Sequence, residues 1–542
     1  MREMKHFSNH FYAGWVLLLL AAACSKNDKS IVIVHDNDVH CALDGYATFA
    51  GLRDAIAAAD TAYVFTASSG DFIQGGAMGT LSKGAYPVEV MRKVRYDVVT
   101  LGNHEFDYGM ARMMEFCGEN DKTATATGME TREGNLVGCP VICANLFRID
   151  NLGASQPVFP AWHISQAGRK RIGWIGMTTP QALYSESYSF YDEQGVQHYD
   201  LGESRLAELL QQSIDQVRAR GADYVILLSH LGDRPGKDTP LNSRTMVAAT
   251  HGIDAVLDGH NHLLIPHDTL YDARGKAVLL VQCGSKFSRV GKLIITPDGK
   301  LTHESIPLDD IPYRSAPVQE VIDSIKTLTD GFLNRELGRS AFSLLADDGQ
   351  GHRLVRNQET NLGDFVTDAF RHSGKAEIAM VNGGTLRENI PTGTINYRQL
   401  FDSMPYHNAL LKVKATGEQI RQFLENGLQL YPAECGGFIQ VSGLRYILVG
   451  NKLSRVEVLE KDGRYHLLKD QRSYSVVVND YMQGGGDGNT ALIHCPVLKR
   501  LPHSDTETVA RYLEFDCGGT VPTRYARPQG RIIKKNFANS AR

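Results

Sequence analysis

The chain has no excess of either charge: 57 Lys and Arg face 61 Asp and Glu, a formal net charge of -4. Such a balance creates no field for a phosphate backbone, so a nucleic-acid polymer is not an expected partner. Cysteine is thin too, with nine in 542 residues. That density excludes a scaffold built on disulfides. Cys139 and Cys143 flank an apolar strand candidate, either paired or as two half-buried thiols. No second Cys pair lies beside them to complete a zinc knuckle. Internal repeats are not visible either. The apolar stretch FYAGWVLLLLAAAC is too short for a comfortable membrane span, which needs roughly 20 residues.

That stretch has a different use. Arg2 and Lys5 precede it and small residues close it at Cys24, the order of an export signal. The junction AAAC resembles a bacterial lipoprotein signal, which implies cleavage before Cys24 and lipidation of its sulfur. Ala21 stands where Leu is commoner in that pattern, and an ordinary secretory signal is the alternative. Residues 1–30 are therefore expected to be signal and polar tether. The mature protein would be extracytoplasmic and held to a lipid bilayer, facing either the periplasm or the cell surface.

A chain of this length holds two or three domains. Residues 31–305 alternate β-rich runs with helix candidates at 45–60, 84–95, 107–120 and 201–221. Leu206, Leu209, Leu210, Ile214 and Val217 fall at helical spacing in the last. This texture predicts a layered α/β domain of αββα type. Residues 121–137 read as a surface loop. Around 306–345 prolines precede a good helix, a connector compatible with hinge movement. A mixed α/β domain follows over 346–531, with strands in IAMVNGG, LLKVKA, YILV and YSVVVND and helices at 361–373 and 416–428. Residues 532–542 read as an exposed tail.

The densest chemistry lies between Asp38 and His262. Five short motifs each end an apolar run: Asp38-Val-His40, Gly70-Asp71, Gly102-Asn103-His104-Glu105, Ser229-His230 and Gly259-His260-Asn261-His262. One histidine after a strand is usually a hydrogen-bonded loop residue. Seven nitrogen and oxygen side chains at successive strand ends can instead hold two divalent ions. Asp71 can bridge them, and a bridged pair acidifies water for attack on phosphorus.

On these motifs residues 31–305 resemble the calcineurin-like metallophosphoesterase family. The whole chain resembles the exported 5'-nucleotidase family, which also includes UDP-sugar hydrolases and 2',3'-cyclic-nucleotide phosphodiesterases. The resemblance implies one metal on Asp38, His40, Asp71 and His262, and a second on Asp71, Asn103, His230 and His260. It implies zinc, manganese or a related ion without choosing among them. His104 would lie beside the substrate, to stabilise phosphoryl charge or protonate a leaving group, with Asp107 orienting it. Asp107 could also cap the helix DYGMARMMEF. The family usually has Gly where this chain has Cys41, which predicts a backbone there that tolerates a side chain, with Cys41 as packing.

In the second domain, MVNGGTLR offers two glycines for close approach to a ligand and Arg387 for bidentate phosphate contact. The resemblance places Asn382, Gly384 and Arg387 at the phosphate. Arg356, in VRNQETNLGDF, is either a second phosphate contact or a surface charge. Asn361 and Asp364 are expected to cap and shape the helix that follows. Tyr406 and Tyr481 would sandwich the base, where the family usually has phenylalanines, and Asp487 would accept from ribose hydroxyls. These expectations converge on hydrolysis of nucleoside 5'-monophosphates at a cleft between the domains, closed by rotation of the second. UDP-sugars or 2',3'-cyclic nucleotides are the alternative substrates. A binding protein or adhesin on the same fold would be expected to lose ligands. A thiosulfate role is disfavoured by the phosphate and base clamp.

Overall fold

In a computed structural model of the protein, residues 29–118, 135–192, 195–233, 241–406 and 408–535 are described. Cys24 lies outside them, as does most of the expected loop at 121–137. Within that loop Val137 is buried against the first core. No helix among the described residues is long and apolar enough to cross a membrane.

Two six-stranded sheets form the first half. One runs in spatial order Leu301–Pro307, Arg289–Ile295, Ser30–Asp36, Ala62–Ser68, Val98–Thr100 and Val141–Ile142. The other runs Leu264–Tyr271, Ala277–Cys283, Ala255–Leu257, Tyr224–His230, Lys170–Thr178 and Trp162–Ala167. Most pairings are parallel, and the antiparallel ones join Arg289–Ile295 to both its neighbours in the first sheet and the two edge strands of the second to theirs. Ile31, Ile33, Leu279, Val281, Leu293 and Trp174 fill the layer between the sheets. Helices cover both outer faces. Helix Leu206–Ala219 buries Leu206, Leu209, Leu210, Ile214 and Val217, the stripe its spacing predicts. This is the expected αββα arrangement. Parallel strands carry their ligand-bearing loops at one edge, beyond their carboxyl ends.

The connector does not stand free. Helix Ala316–Leu333 sinks Val318, Ile322, Ile325 and Leu333 into the first core. Its end meets the second half through Phe332 stacked on Tyr397, ring centroids 4.6 Å apart, and through Arg335 paired with Glu514 at 2.6 Å. The helix belongs to the first body, which leaves the short stretch after Leu333 as the chain's passage between halves.

The second half centres on a five-stranded sheet in the order Ile439–Ser442, Ile378–Asn382, Ser473–Asn479, Ala409–Thr416 and Val497–Ser504. Helix Asn361–Gly374 packs on one face and Gly417–Gly427 on the other. A second, four-stranded sheet ends in Ile532–Lys535, paired in parallel with Leu444–Val449. The expected tail at 532–542 therefore begins too early. Ile532 is buried and its strand closes the sheet, and residues 536–542 lie outside the described part. The helix at 361–374 is capped by Thr360, whose hydroxyl accepts from Gly363 N. Asn361 instead ties two loops to the helix through Ser343 O and Tyr525 O, and Asp364 is buried opposite Arg531. Their expected capping role passes to Thr360. Cys139 and Cys143 are separate free thiols.

Candidate metal centre and cleft

Asp38, His40, Asp71 and His262 offer ligand atoms that all lie within 4.8 Å of one another. His40 Nε2 faces His262 Nε2 at 2.9 Å. His230 Nε2 lies 3.1 Å from Asp71 Oδ2 and 3.8 Å from Asp38 Oδ1. His260 Nδ1 and Asn103 Oδ1 meet at 3.0 Å, and the rings of His230 and His260 stand edge to face at 5.4 Å. All seven expected ligands are thus gathered in one place.

The backbone explains how close neighbours converge. Asp38, His40, Asp71, His260 and His262 all have φ between 46° and 77°. That left-handed region is uncommon for residues with a side chain and clusters at functional sites. It ends the extended run and turns the backbone sharply just past the strand, where the loops bring these side chains to one place. Cys41 shares it, with φ 56°. The expectation of a permissive backbone is corrected here: Cys41 occupies a conformation that favours glycine, held by burial against Gly79. Its packing role stands as expected, and burial pushes its thiol up.

The atoms themselves fit cations. His230 is fully buried, and its Nδ1 bonds Ser69 O at 2.6 Å. Its Nε2 has no hydrogen-bond partner although it is buried between two carboxylates. An imidazole nitrogen so placed, with the other ring nitrogen held by a backbone carbonyl, suits a metal ligand. Gln74 Oε1 bonds His40 Nδ1 at 3.1 Å, turning Nε2 toward the cluster. Gln181 Oε1 bonds His260 Nε2 at 3.1 Å and so leaves Nδ1 facing the Asn103 oxygen. Burial raises the Asp38 carboxyl to about 7 against the pull of His230. Burial acts the same way on Asp71, but His230 and His104 outweigh it and hold that carboxyl well below its usual range. Two buried acids, with the imidazoles of His40, His260 and His262 held low by burial beside them, make a donor set that suits divalent ions.

Glu105 had no assigned role from sequence. Its buried carboxylate accepts from the amides of Asp71, Phe72 and Gly102 at 2.8, 2.7 and 2.6 Å. It braces the two loops that carry Asp71 and Asn103. Glu105 was missed because its motif neighbours carry the recognisable chemistry, and Gln74 and Gln181 because they lie outside the motifs and act through contacts with distant imidazoles.

His104 Nδ1 lies 3.0 Å from both oxygens of Asp107. Burial would lower the imidazole, but Asp107 and Asp71 overrule it and hold His104 well above its usual value. Asp107 does not cap the helix that follows, which starts at Met110 with Gly109 at its N-cap. Glu186, not singled out from sequence, stands beside the pair and is raised to about 8 by burial and by Asp107.

A cavity of ≈ 390 Å³ joins this dyad to the second half. Its lining includes Asn103, His104, Asp107 and His260 from one side, and Arg356, Asn382, Gly384, Arg387, Tyr406, Tyr481 and Asp487 from the other. Every expected substrate residue therefore borders one space. Arg356 and Arg387 each bury an Nε without a partner. Burial and the neighbouring Arg353 lower Arg356, and burial followed by Arg356 and Arg353 brings Arg387 down to about 10. Crowded guanidinium groups with unfilled donors suit an anion. Arg387 also touches the Tyr406 hydroxyl and lies 5.0 Å over that ring, while Tyr406 stacks on His104 at 6.1 Å. Tyr481 is placed differently: its ring leans on Gly486, and its hydroxyl accepts from Asp487 N at 3.0 Å. Gly383 serves packing, since a Cβ there would meet Val355 O at 2.3 Å; Gly384 is the glycine that faces the cavity.

Comparison with known proteins agrees with this division. The calcineurin-like phosphoesterase family matches residues 31–264, and the 5'-nucleotidase C-terminal domain family matches residues 343–494. The trifunctional nucleotide phosphoesterase of Bacillus subtilis is 25% identical over 514 residues, covering 89% of this chain but 34% of that longer protein. A probable 5'-nucleotidase of Treponema pallidum is 24% identical, over 90% of this chain and 93% of its own. The crystal structure of a 5'-nucleotidase precursor from Thermus thermophilus superposes with a TM-score of 0.70 at 24% identity, covering 93% of this chain and 99% of that one. A sulfate thiohydrolase from the same genus shares the fold at a TM-score of 0.64 and 18% identity, over 94% of this chain and 97% of its own.

Proposed function

We propose that this chain, which joins a calcineurin-like phosphoesterase domain to a 5'-nucleotidase C-terminal domain, hydrolyses nucleoside 5'-monophosphates to nucleoside and inorganic phosphate. The carrying observation is a cavity bordered by Asn103 and His260 of the ligand set, the His104–Asp107 pair, and Arg356 and Arg387. The fold does not select the substrate, since a sulfate thiohydrolase shares it.

Asp38, His40, Asp71, Asn103, His230, His260 and His262 would hold two divalent ions, whose chemistry there would be to acidify water and neutralise charge at phosphorus. The protein's own groups do the rest. Arg356 and Arg387 bind the phosphate oxygens, and Asn382 and Gly384 shape the floor beside them. Protonated His104, held by Asp107, donates to a phosphoryl oxygen or to the departing ribose oxygen. Asp487 accepts from the ribose hydroxyls. Tyr481 stacks on the base, with Tyr406 closing the other side. Zinc and manganese both suit this donor set of imidazoles and hard oxygens.

A panel of AMP, UDP-glucose and 2',3'-cyclic AMP, each assayed with added zinc or manganese, tests the reading. AMP turning over fastest by kcat/KM is expected. Preference for either of the other two would move the activity to a sister reaction of the same centre. No hydrolysis of any of them would overturn it.

The relatives include a Listeria monocytogenes cell wall protein, 24% identical over 83% of this chain and 60% of its own length. Together with the basic, apolar and small-residue order of the N-terminus, this supports an extracytoplasmic enzyme. We place it on a bilayer through lipid at Cys24. Two further acyl chains would make that anchoring stable where one is marginal. Mass measurement of the mature N-terminal peptide checks this, and an unmodified or absent Cys24 would refute it while leaving the enzyme assignment standing.

A further inference from the structure

The layer between the two sheets is apolar along most of its length. On strand Ser30–Asp36 the inward positions are Ile31 and Ile33; on Ala277–Cys283 they are Leu279 and Val281; on Leu301–Pro307 Leu301 packs against the same layer. Continuing each series by one inward step gives His35, Cys283 and His303. Three polar side chains therefore replace the apolar filling at one corner of the sandwich. Their ligand atoms lie within 4.8 Å of one another. His35 and Cys283 are buried, and His303 sits half-buried on an edge strand.

The ring geometry is specific. His303 Nδ1 bonds Pro266 O at 2.7 Å, which leaves its Nε2 as the free lone pair. That Nε2 faces His35 Nε2 at 3.0 Å, with ring centroids 5.1 Å apart. A backbone carbonyl behind one ring nitrogen is the usual support of a metal-ligating histidine. Gly291 makes the pocket for His35, since a Cβ there would lie 2.1 Å from Nε2. The catalytic ligands are a separate set, and none of them belongs to this cluster.

We propose that His35, Cys283 and His303 form a third metal site, structural in character, that takes zinc or a similarly thiophilic divalent ion and pins the two sheets together. One thiolate and two imidazoles are a zinc donor set, and solvent on the His303 side can complete the tetrahedron. Binding releases the thiol proton to solvent, and His35 carries its ring proton on Nδ1 so that Nε2 can bind. Burial pushes the unmetallated thiol up to about 12, so the cysteine is otherwise an inert, protonated group. Cross-linking distant strands by an ion adds its binding free energy to folding.

The test uses the full chain, stripped of metal and reloaded with cobalt(II), which reports thiolate ligation as a near-ultraviolet charge-transfer band. The wild type should show that band. Cys283→Ser should lose the band and one cobalt per chain. His303→Ala, at the exposed edge, should also lose one cobalt, and decides the matter if the serine variant fails to fold. Asp71→Asn, which damages the catalytic pair, should keep the band. Cobalt bound to the wild type without a thiolate band would overturn the site, as would an unchanged band and stoichiometry in Cys283→Ser. Because the band does not depend on turnover, failure here is separate from failure of the nucleotidase reading.

Discussion

The two walls of the cleft are built on opposite principles. The metal wall holds acids and imidazoles at the ends of parallel strands, five of them in left-handed backbone, with His40, His230 and His260 each fixed by a bond to the other ring nitrogen. The opposing wall presents guanidinium groups and tyrosine rings from loops, with donors left unfilled. One wall gathers donor atoms that suit cations, and the other gathers guanidinium groups that suit an anion. A phosphate ester suits both, and residues of both walls line one cavity. The metal wall should govern the chemical step, and the other wall the choice of what is cut.

That comparison breaks most sharply at Asp71. Removing its charge weakens both ions, so Asp71→Asn should lower kcat by about 10³-fold or more, as thorough chelation should. Hydrolysis that survives either treatment would end the two-metal assignment. Next is Gln74→Ala, which releases His40 without touching a ligand. Metal affinity should fall by roughly 10–100-fold, and excess metal should restore turnover. A loss that added metal does not rescue would place Gln74 in substrate binding instead.

On the other wall, Arg387→Ala removes a charged contact worth about 1.5–3 kcal/mol. It should raise KM for AMP and for a small aryl phosphate alike, because both carry the phosphate. The two tyrosines sharpen the contrast further. Tyr481→Ala should cost about 1–3 kcal/mol in kcat/KM on AMP through lost stacking and leave the aryl phosphate nearly unaffected. Tyr406→Ala should harm both substrates, since Tyr406 also touches Arg387 and stacks on His104. Equal losses from Tyr481→Ala on the two substrates would remove the base-clamp role.

Much of the metal wall was legible because its chemistry tolerates few residue types. Asp38-Val-His40 and Gly259-His260-Asn261-His262 announce ligands wherever they end strands, and the apolar runs before them announce the strands. The helix at 206–219 was legible from periodicity alone, as its buried stripe depends only on 3.6-residue geometry. Less was readable where a role depends on a partner far along the chain. Glu105 looked like one more polar residue until its carboxylate met the amides of Asp71 and Phe72. Strand Ile532–Lys535 looked like tail because its pairing with Leu444–Val449 spans about 90 residues that no local pattern connects. Cys41 was expected in easy backbone because a φ of 56° leaves no mark in sequence.

By itself, then, the sequence determined which donor atoms exist, their order, and the strand and helix periods that present them. These are local properties, set by residue type and by spacing along the chain. Only the tertiary structure decided that Gln74 and Gln181 aim the imidazoles, that the connector helix is part of the first body, and that Tyr406 and Tyr481 have different partners. It alone brought His35, Cys283 and His303 to one corner. Each of these depends on how the sheets and bodies pack through space, and close packing joins residues hundreds of positions apart that no spacing rule along the chain relates.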